Sequence, residues 1–376
     1  MRLVGLHRVP SGSVLARDVH TGRHGLAPLL VHGVVLDERK LAALERAGIN
    51  AVYIDDALGR GIDVPQALSD ETREQATKAL ATAFERVRGG EGADGGESGV
   101  PADTIGELRE VACLIAEEIA SCGDAIFALQ DLAVADSYTL QHSIDVTALG
   151  LLVARRMFRE RGWVDYRHER RYDRLDDRLV QIGLGLILHD IGKLIVPSEI
   201  LNKPGALNED EWALMKRHPV AGFDMLSGAT ISPLSRIVVR SHHERFDGLG
   251  YPDGRAGESI HQFARIAAVA DVYDAVTSER PYRAAREPHE GWRVVVDGAG
   301  TTFDPDVVAT FRRVVAPYPP GSEIVLDDGR RGVVTSVPRD RLEQPRVRIG
   351  WDADGEPVEP YELDLVELPA RAAAAA

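Results

Sequence analysis

Residues 242–252, HHERFDGLGYP, constrain the fold of this chain more than any other stretch. Two adjacent histidines follow the apolar residues 237–239, and a glycine-rich turn closed by a proline comes directly after them. Gly248 and Gly250 allow backbone conformations that a side chain would strain, and the proline fixes the direction in which the chain leaves. An isolated histidine pair is most simply a solvated helix end. Other histidines and aspartates of the chain argue against that interpretation here.

Length, composition and charge exclude several classes of protein. The 376 residues are 44% hydrophobic and 27% charged, which is typical of a globular protein with room for two or three domains. The net charge of -15 argues against nucleic acid as the main partner, because phosphate contacts need a basic surface. Cys113 and Cys122 are the only cysteines, so we expect neither disulfides nor a thiolate metal site.

Cellular location follows from the same inspection of the sequence. Two cysteines without a disulfide pattern favour a reducing cytoplasm. No stretch of about 18 apolar residues and no signal-peptide core is apparent, so we expect a cytoplasmic protein without a membrane partner.

The hydrophobic pattern predicts a mainly α chain with small β-rich modules at both ends. The central part is almost entirely helical by pattern: helices are predicted at 179–189, from Ser259 onward and at 305–315, Asn208 and Glu211 form a capping box, and residues 166–177 form a solvated loop. Short apolar runs separated by turns flank this part, with Asp37 as the N-cap of a short helix, and they predict strands at 14–16, 29–31, 34–36, 49–55, 323–326, 332–337 and 347–351. The predicted segments are a β-rich N-terminal module (1–65), a helical linker region (66–132) with a glycine-rich loop (89–100), a helical domain (133–316), a β module (317–368) and a disordered alanine-rich tail (369–376).

Within the helical domain, polar residues occur where an ordinary core would not place them. Residues 179–189 form an almost wholly apolar predicted helix that ends in His189–Asp190, where an unpaired buried polar group would cost a few kcal/mol. Metal coordination satisfies both side chains, and a carboxylate has two oxygens, so Asp190 can bridge two cations. His142 and Asp271 would complete one metal site. His218, His242 and His243 would complete the other.

Simpler roles exist for single members of this set. His142 alone suits a hydrogen-bonded core histidine, His218 a helix cap, and Asp271 a buried acid paired with an arginine. Five histidines and two aspartates in one helical domain are hard to explain by packing, however, and we favour metal binding. Nitrogen and oxygen donors without thiolate favour Fe or Mn over structural Zn.

Three separated blocks of this sequence resemble the HD-GYP family. They are residues 189–193 (HDIGK), residues 242–252, and residues 271–283 (DVYDAVTSERPYR). That family comprises bacterial phosphodiesterases of cyclic di-GMP with an all-helical HD fold. The resemblance covers about residues 133–316 and includes GTTFDP at 300–305, whereas the β-rich flanks resemble extensions of some members only loosely.

The resemblance implies a role for each matching residue. The metal ligands are His142, His189, Asp190, His218, His242, His243 and Asp271. Lys193 becomes a phosphate-facing catalytic cation beside Asp190, and Arg280 and Arg283 become contacts to the substrate phosphate. Gly250, Tyr251 and Pro252 would shape the substrate pocket and offer a surface to other signalling proteins. Members with a third metal carry Glu where this chain has Tyr138, so we expect two divalent metal ions.

The implied reaction opens cyclic di-GMP to linear pGpG and continues slowly to GMP. Two cations would supply the nucleophile and stabilise phosphoryl charge, assisted by the lysine and arginines. Two alternatives stay open: a phosphohydrolase of another nucleotide, and a non-catalytic sensor of the cyclic dinucleotide. The helices predicted before residue 121 can pack on each other, on the core or on a second subunit, so a homodimer is open as well.

Overall fold

The computed structural model describes residues 1–20, 28–89, 99–121, 138–278 and 286–367. Most of the predicted glycine-rich loop, the alanine-rich tail, Arg280 and Arg283 lie outside these residues. The described chain divides into two compact units, one formed by residues 1–66 and 315–367 and the other by residues 67–121 and 138–314. The fold is mainly α, as the sequence pattern predicts, with small antiparallel sheets near both ends.

The N-terminal segment forms a three-stranded antiparallel sheet and one helix. Its elements are β1 (Arg2–Gly5), β2 (Val14–Leu15), α1 (Glu38–Arg46) and β3 (Ala51–Asp55). The strand order is β1-β3-β2, and the Asp37 carboxylate caps α1 by accepting from the backbone N–H of Lys40. Strands predicted at 29–31 and 34–36 are wrong: Leu30 and Val35 form only isolated bridges, because the turn at Gly33 leaves each run too short to pair.

The second unit is built from eleven helices among the described residues. In chain order its elements are α2 (Asp70–Gly89), α3 (Ala102–Ser121), α4 (Tyr138–Arg161), β4 (Trp163–Val164), β5 (Arg170–Arg171), α5 (Leu175–Ile187), α6 (Ser198–Leu201), α7 (Glu209–Met215), α8 (His218–Met225), α9 (Pro233–Ser241), α10 (Gln262–Thr277), α11 (Pro288–Asp297) and α12 (Pro305–Phe311). Within the described ranges, no helix combines the length and the apolar character that crossing a bilayer requires.

Helix α5 is the centre of this unit. It packs against α3, α4 and α9, and α4 in turn packs against α10. Residues 182–187 of α5 are buried without interruption, which agrees with the apolar run in the sequence. The C-terminal end of α5 therefore lies among helices that carry the other predicted metal ligands.

Several predicted boundaries differ from those observed. Helix α5 begins earlier than expected, after Arg174 in the left-handed region. Helix α10 does not begin at Ser259, because Ser259 lies in a short 3-10 turn where its hydroxyl donates to Ala256 O. The N-cap of α10 is His261, whose ring nitrogen Nδ1 accepts from Phe263 N–H. The loop predicted at 166–177 contains strand β5, and α12 ends at Phe311 rather than Val315.

The C-terminal segment adds a four-stranded antiparallel sheet to the first unit. Its strands are β6 (Glu323–Val325), β7 (Arg331–Ser336), β8 (Arg346–Trp351) and β9 (Pro357–Asp364), in the order β6-β7-β8-β9. The sequence pattern does not predict β9, because it contains two prolines. Its place at the sheet edge explains why they are tolerated, since an edge strand need not donate every N–H.

The two β-rich segments pack together although about 250 residues separate them in the sequence. Tyr53 and Leu58 share a small core with Val333. Arg2 forms ion pairs with Asp56 at 2.9 Å and Glu323 at 3.1 Å. The sequence pattern predicts separate modules at the two ends of the chain, whereas in the structure the two segments form one unit.

Candidate metal centre

All seven predicted metal ligands meet at the C-terminal end of α5. Each comes from a helix or from the residues next to a helix end: His142 from α4, His189 and Asp190 from the turn after α5, His218 from the start of α8, His242 and His243 from the end of α9, and Asp271 from α10. Six of these side chains are buried, and that of His243 is partly exposed.

The ligands form two groups. In the first, His142 Nε2 lies 3.3 Å from His189 Nε2 and 3.2 Å from Asp271 Oδ1. In the second, His218 Nε2 lies 3.2 Å from His242 Nε2, and His243 completes the group. The candidate donor atoms of each group lie within 4.8 Å of one another, which is close enough to share an ion.

Asp190 lies between the two groups and faces each with a different oxygen. Its Oδ2 is 3.4 Å from His189 Nε2 and 3.6 Å from His142 Nε2. Its Oδ1 is 3.4 Å from His218 Nε2 and has no hydrogen-bond partner within the described chain, although it is fully buried. A carboxylate held in this way can bridge two cations, one in each group.

Each of the four buried histidines is oriented through Nδ1. The acceptors are Leu186 O for His189 (2.7 Å), Met215 O for His218 (2.8 Å), Val239 O for His242 (3.0 Å) and Asp274 Oδ2 for His142 (2.5 Å). A proton assigned to Nδ1 by these contacts leaves the Nε2 lone pair of a neutral ring directed at the centre. Hydrogen bonds from the other ring nitrogen to a carbonyl or carboxylate oxygen are typical of histidines that bind a metal.

Burial keeps the second group neutral. It lowers the pKa of His218 to about 4 and of His243 to about 3, and it lowers the pKa of His242 as well. Burial also opposes the charge on His142, but hydrogen bonds to Asp271 and Asp274 outweigh it and raise that pKa to about 9. A cation at the first group must therefore displace a proton from His142.

The two carboxylates stay ionised in spite of burial. Burial would raise the pKa of Asp190, but the charges of Lys193 and His189 hold it well below its usual range. The hydrogen bond with His142 does the same for the buried Asp271. The neutral imidazoles of the second group, the two ionised carboxylates and the unpaired buried oxygen of Asp190 fit divalent cations with nitrogen and oxygen preferences.

Lys193 lies in the 3-10 helix Ile191–Ile195, directly after the His–Asp pair. Its ammonium is 2.5 Å from Asp190 Oδ2, and 24% of its side chain is exposed. Gly192 makes this approach possible, since a Cβ there would overlap the carbonyl oxygen of His218. The lysine therefore lies beside the candidate metal centre and is not fully buried.

Residues 248–252, the turn that follows the histidine pair, lie against His243 of the second group. The Tyr251 ring stacks on His243 with centroids 4.8 Å apart, and Tyr251 N–H donates to His243 O at 3.2 Å. Burial, together with the nearby carboxylates, raises the pKa of the Tyr251 hydroxyl, which therefore stays protonated. Gly250 passes so close to the preceding backbone that a Cβ would lie 2.6 Å from Glu244 Cα and from His243 O. Pro252 follows and is partly exposed, as Tyr251 is.

Several contacts fix this loop. The buried carboxylate of Glu244 accepts the backbone N–H groups of Asp253 (2.7 Å) and Arg255 (3.0 Å). Arg240 forms a bidentate ion pair with Asp253 at 2.9 and 2.7 Å. The carbonyl of Thr302, within the GTTFDP stretch, accepts from Phe246 N–H at 3.0 Å.

Sequence reasoning missed three residues next to the centre. Asp274 orients His142, Glu244 holds the loop, and Trp212 contacts Tyr251. The position of Asp274 beside the centre could have been predicted, because it is three residues after Asp271 and so lies on the same helix face. The predicted phosphate contacts Arg280 and Arg283 lie outside the described residues.

Comparison with known proteins defines the class. The HD domain family model matches residues 168–307. A helical unit in which a buried helix ends in a His–Asp pair among further histidines is that of a metal-dependent HD-domain phosphohydrolase.

Three relatives refine this class. A cyclic di-GMP phosphodiesterase of Pseudomonas aeruginosa is 33% identical over 366 residues, covering 89% of this chain and 81% of that protein. A cyclic di-GMP phosphodiesterase response regulator of Xanthomonas campestris is 45% identical over 35% of each protein. A 3'3'-cGAMP-specific phosphodiesterase of Vibrio cholerae is 37% identical over 35% of this chain and 29% of that protein. This chain belongs to the HD-GYP family of cyclic di-GMP phosphodiesterases.

The chain spans most of the Pseudomonas protein but only about a third of the other two.

Proposed function

We propose that this chain hydrolyses cyclic di-GMP to linear pGpG, and more slowly to GMP, with two divalent cations bound at the candidate metal centre. One observation carries the number of cations: the two oxygens of Asp190 face two separate histidine groups. His142, His189 and Asp271 would hold one cation, and His218, His242 and His243 the other. The donor set favours Fe or Mn.

Two bound cations would activate the attacking water near neutral pH and neutralise charge on the phosphoryl oxygens. Lys193 would offer its ammonium to a phosphate oxygen; the support for this role is that the ammonium lies on Asp190 between the two groups and the side chain is partly exposed. Arg280 and Arg283 are proposed to contact the same phosphate. The loop at Gly250, Tyr251 and Pro252 would form a wall of the substrate pocket beside His243.

The remaining proposals concern the setting of the enzyme. We place the chain in the cytoplasm because its two cysteines show no disulfide pattern. A homodimer, and contacts of residues 250–252 with other signalling proteins, stay predictions of the sequence. The predicted catalytic segment, residues 133–316, is likewise a proposal.

Product analysis tests this function. Metal-stripped protein is reloaded anaerobically with Fe²⁺ or Mn²⁺, incubated with cyclic di-GMP, and its products are separated by chromatography. We expect pGpG to accumulate before GMP, and we expect Asp190→Asn to form neither. Tight binding of cyclic di-GMP without any product would instead support the sensor.

A second candidate substrate is 3'3'-cGAMP, because one relative carries that specificity in its name. The same assay with both dinucleotides gives the ratio of their kcat/KM values. A ratio above one for cyclic di-GMP over 3'3'-cGAMP supports the proposed substrate, and a ratio well below one supports the second candidate.

A further inference from the structure

Trp212 is 45% exposed although it lies beside the candidate metal centre. Its ring meets Tyr251 nearly edge-on, with centroids 6.2 Å apart and an interplanar angle of 79°. Tyr251 in turn stacks on His243 at 4.8 Å. These three rings form a continuous aromatic row that leads from a candidate metal ligand to the surface.

The helix that carries Trp212 is linked to the candidate metal centre. It lies on α7, whose N-terminus is closed by a capping box in which Asn208 and Glu211 accept each other's backbone N–H groups. One turn after Trp212, the carbonyl of Met215 accepts the Nδ1–H of His218 at 2.8 Å. The backbone of α7 therefore places Trp212 at a defined position relative to a metal ligand, as a substrate-binding group requires.

The chemistry of the substrate identifies a role for this ring. A cyclic dinucleotide carries a purine on each side of the phosphodiester, so a phosphate bound at the cations places a base next to the centre. His243 covers one face of Tyr251, and the exposed ring of the row is that of Trp212. Stacking of a base on an aromatic side chain is sequence-tolerant and contributes substantially to binding.

We propose that Trp212 is the stacking platform for one purine base of the cyclic dinucleotide, an inference that rests on the function proposed above. The competing role is purely structural, in which the indole only covers Tyr251. The two roles differ in one respect. A platform matters for substrates that carry a purine, whereas a cover for Tyr251 affects the hydrolysis of every phosphodiester alike.

Steady-state kinetics with two substrates separate these roles. The metal-loaded full-length protein is assayed with cyclic di-GMP and with bis(p-nitrophenyl) phosphate, a diester without a purine. The variants are Trp212→Phe and Trp212→Leu. Tyr166→Leu is the matched control, because Tyr166 is an exposed aromatic (63%) on the connection between β4 and β5. Thermal unfolding of each variant checks that it is folded.

For Trp212→Leu we expect the ratio of kcat/KM for cyclic di-GMP to kcat/KM for the small diester to fall about tenfold or more. The loss should come mainly from a higher KM for cyclic di-GMP. Trp212→Phe should retain most of the ratio because it keeps an aromatic face, and Tyr166→Leu should keep all of it.

Parallel changes for both substrates in Trp212→Leu, or no change at all, would overturn the platform. A wild-type enzyme that hydrolyses the small diester but not cyclic di-GMP gives a different result. It would overturn the proposed function itself, and the platform with it.

Discussion

The ring of His142 is held by Asp274, with Nδ1 and Oδ2 only 2.5 Å apart in a fully buried contact. The second oxygen of Asp274 accepts from Ser278 Oγ at 2.8 Å. Helix α10 therefore supplies one candidate metal ligand, Asp271, and one turn later the group that orients a ligand on α4. This carboxylate–histidine pair sets which ring nitrogen faces the centre.

Replacing Asp274 should weaken metal binding more than it destabilises the fold. We expect Asp274→Ala to lower the metal affinity of the stripped protein about 10- to 100-fold, because His142 loses its orienting partner. Asp274→Asn should lose less, since its amide oxygen can still accept from Nδ1. Ser278→Ala is the control, because it removes only the outer hydrogen bond. Competition with a chelator measures all three affinities, and wild-type affinity in Asp274→Ala would show that the contact does not support the site.

Lys193 separates turnover from metal binding. In Lys193→Ala we expect kcat for cyclic di-GMP to fall about a hundredfold, as when one donor to developing charge is removed. The variant should keep its metals, because the candidate ligands are unchanged. Lys203, paired with Glu211 at 2.6 Å, supplies the control variant Lys203→Ala, for which near-normal turnover is expected. Near-normal turnover in Lys193→Ala as well would remove the catalytic role of this lysine.

Gly250 tests how closely the loop must fold against His243. A Cβ at this position would lie 2.6 Å from two backbone atoms, so Gly250→Ala must displace the loop that carries Tyr251. We expect KM for cyclic di-GMP to rise and the melting temperature to fall. Gly106→Ala is the matched control, because among the described residues no atom beyond its own stretch of helix lies within 4 Å of an added Cβ, and alanine favours a helix by up to about 1 kcal/mol. Unchanged kinetics in Gly250→Ala would mean that the loop does not shape the pocket.

His261 should make stability depend on pH. Burial lowers its pKa to about 4 from an ordinary 6.5, so the folded protein keeps the ring neutral while the unfolded chain protonates it. Stability from this group is complete above pH 6.5 and is lost as the pH falls toward 4, by up to about 3 kcal/mol. His168 and Arg265 are the charged or titratable side chains that act on it, and the backbone carbonyl of Asp165 accepts from its ring Nε2–H at 3.3 Å.

The comparison of wild type with His261→Asn isolates this effect. Asparagine is a strong N-cap and does not titrate. His261→Asn should therefore preserve the cap of α10 and make the free energy of unfolding depend less on pH. Denaturant unfolding at several pH values between 4 and 7 measures the difference between the two proteins. Identical pH slopes would contradict the assignment to His261.

Much of the helical architecture could be predicted because its signals are local. The apolar run in α5, the cap at Asp37 and the capping box of α7 all appear in the structure. Local sequence patterns gave a wrong helix boundary where a residue has an uncommon role. His261 is not a preferred N-cap, so the sequence pattern pointed to Ser259 instead. The pairing of Arg2 with Glu323 depends on segments far apart in the chain, which no local pattern encodes.

For the candidate site, residue types were more predictable than their partners. The spacing of histidines and aspartates indicates a metal centre, and the structure brings all seven together. The orienting contacts of Asp274 and Glu244 could not be predicted, because each joins segments whose approach depends on the packing of several helices. Trp212 gave no signal, since an aromatic residue in a short amphipathic helix is ordinarily part of a core.

The most direct test of the two-cation account is a metal titration in which occupancy and turnover are measured on the same samples. Metal-stripped protein receives increasing Mn²⁺; bound metal is determined by elemental analysis, and the initial rate of pGpG formation from cyclic di-GMP is recorded at each point. The account predicts that the rate rises with the second equivalent and reaches its plateau at two ions per chain. Three results would contradict the two-cation account. They are a full rate at one ion per chain, a rate that still rises with a third ion, and two bound ions without any pGpG.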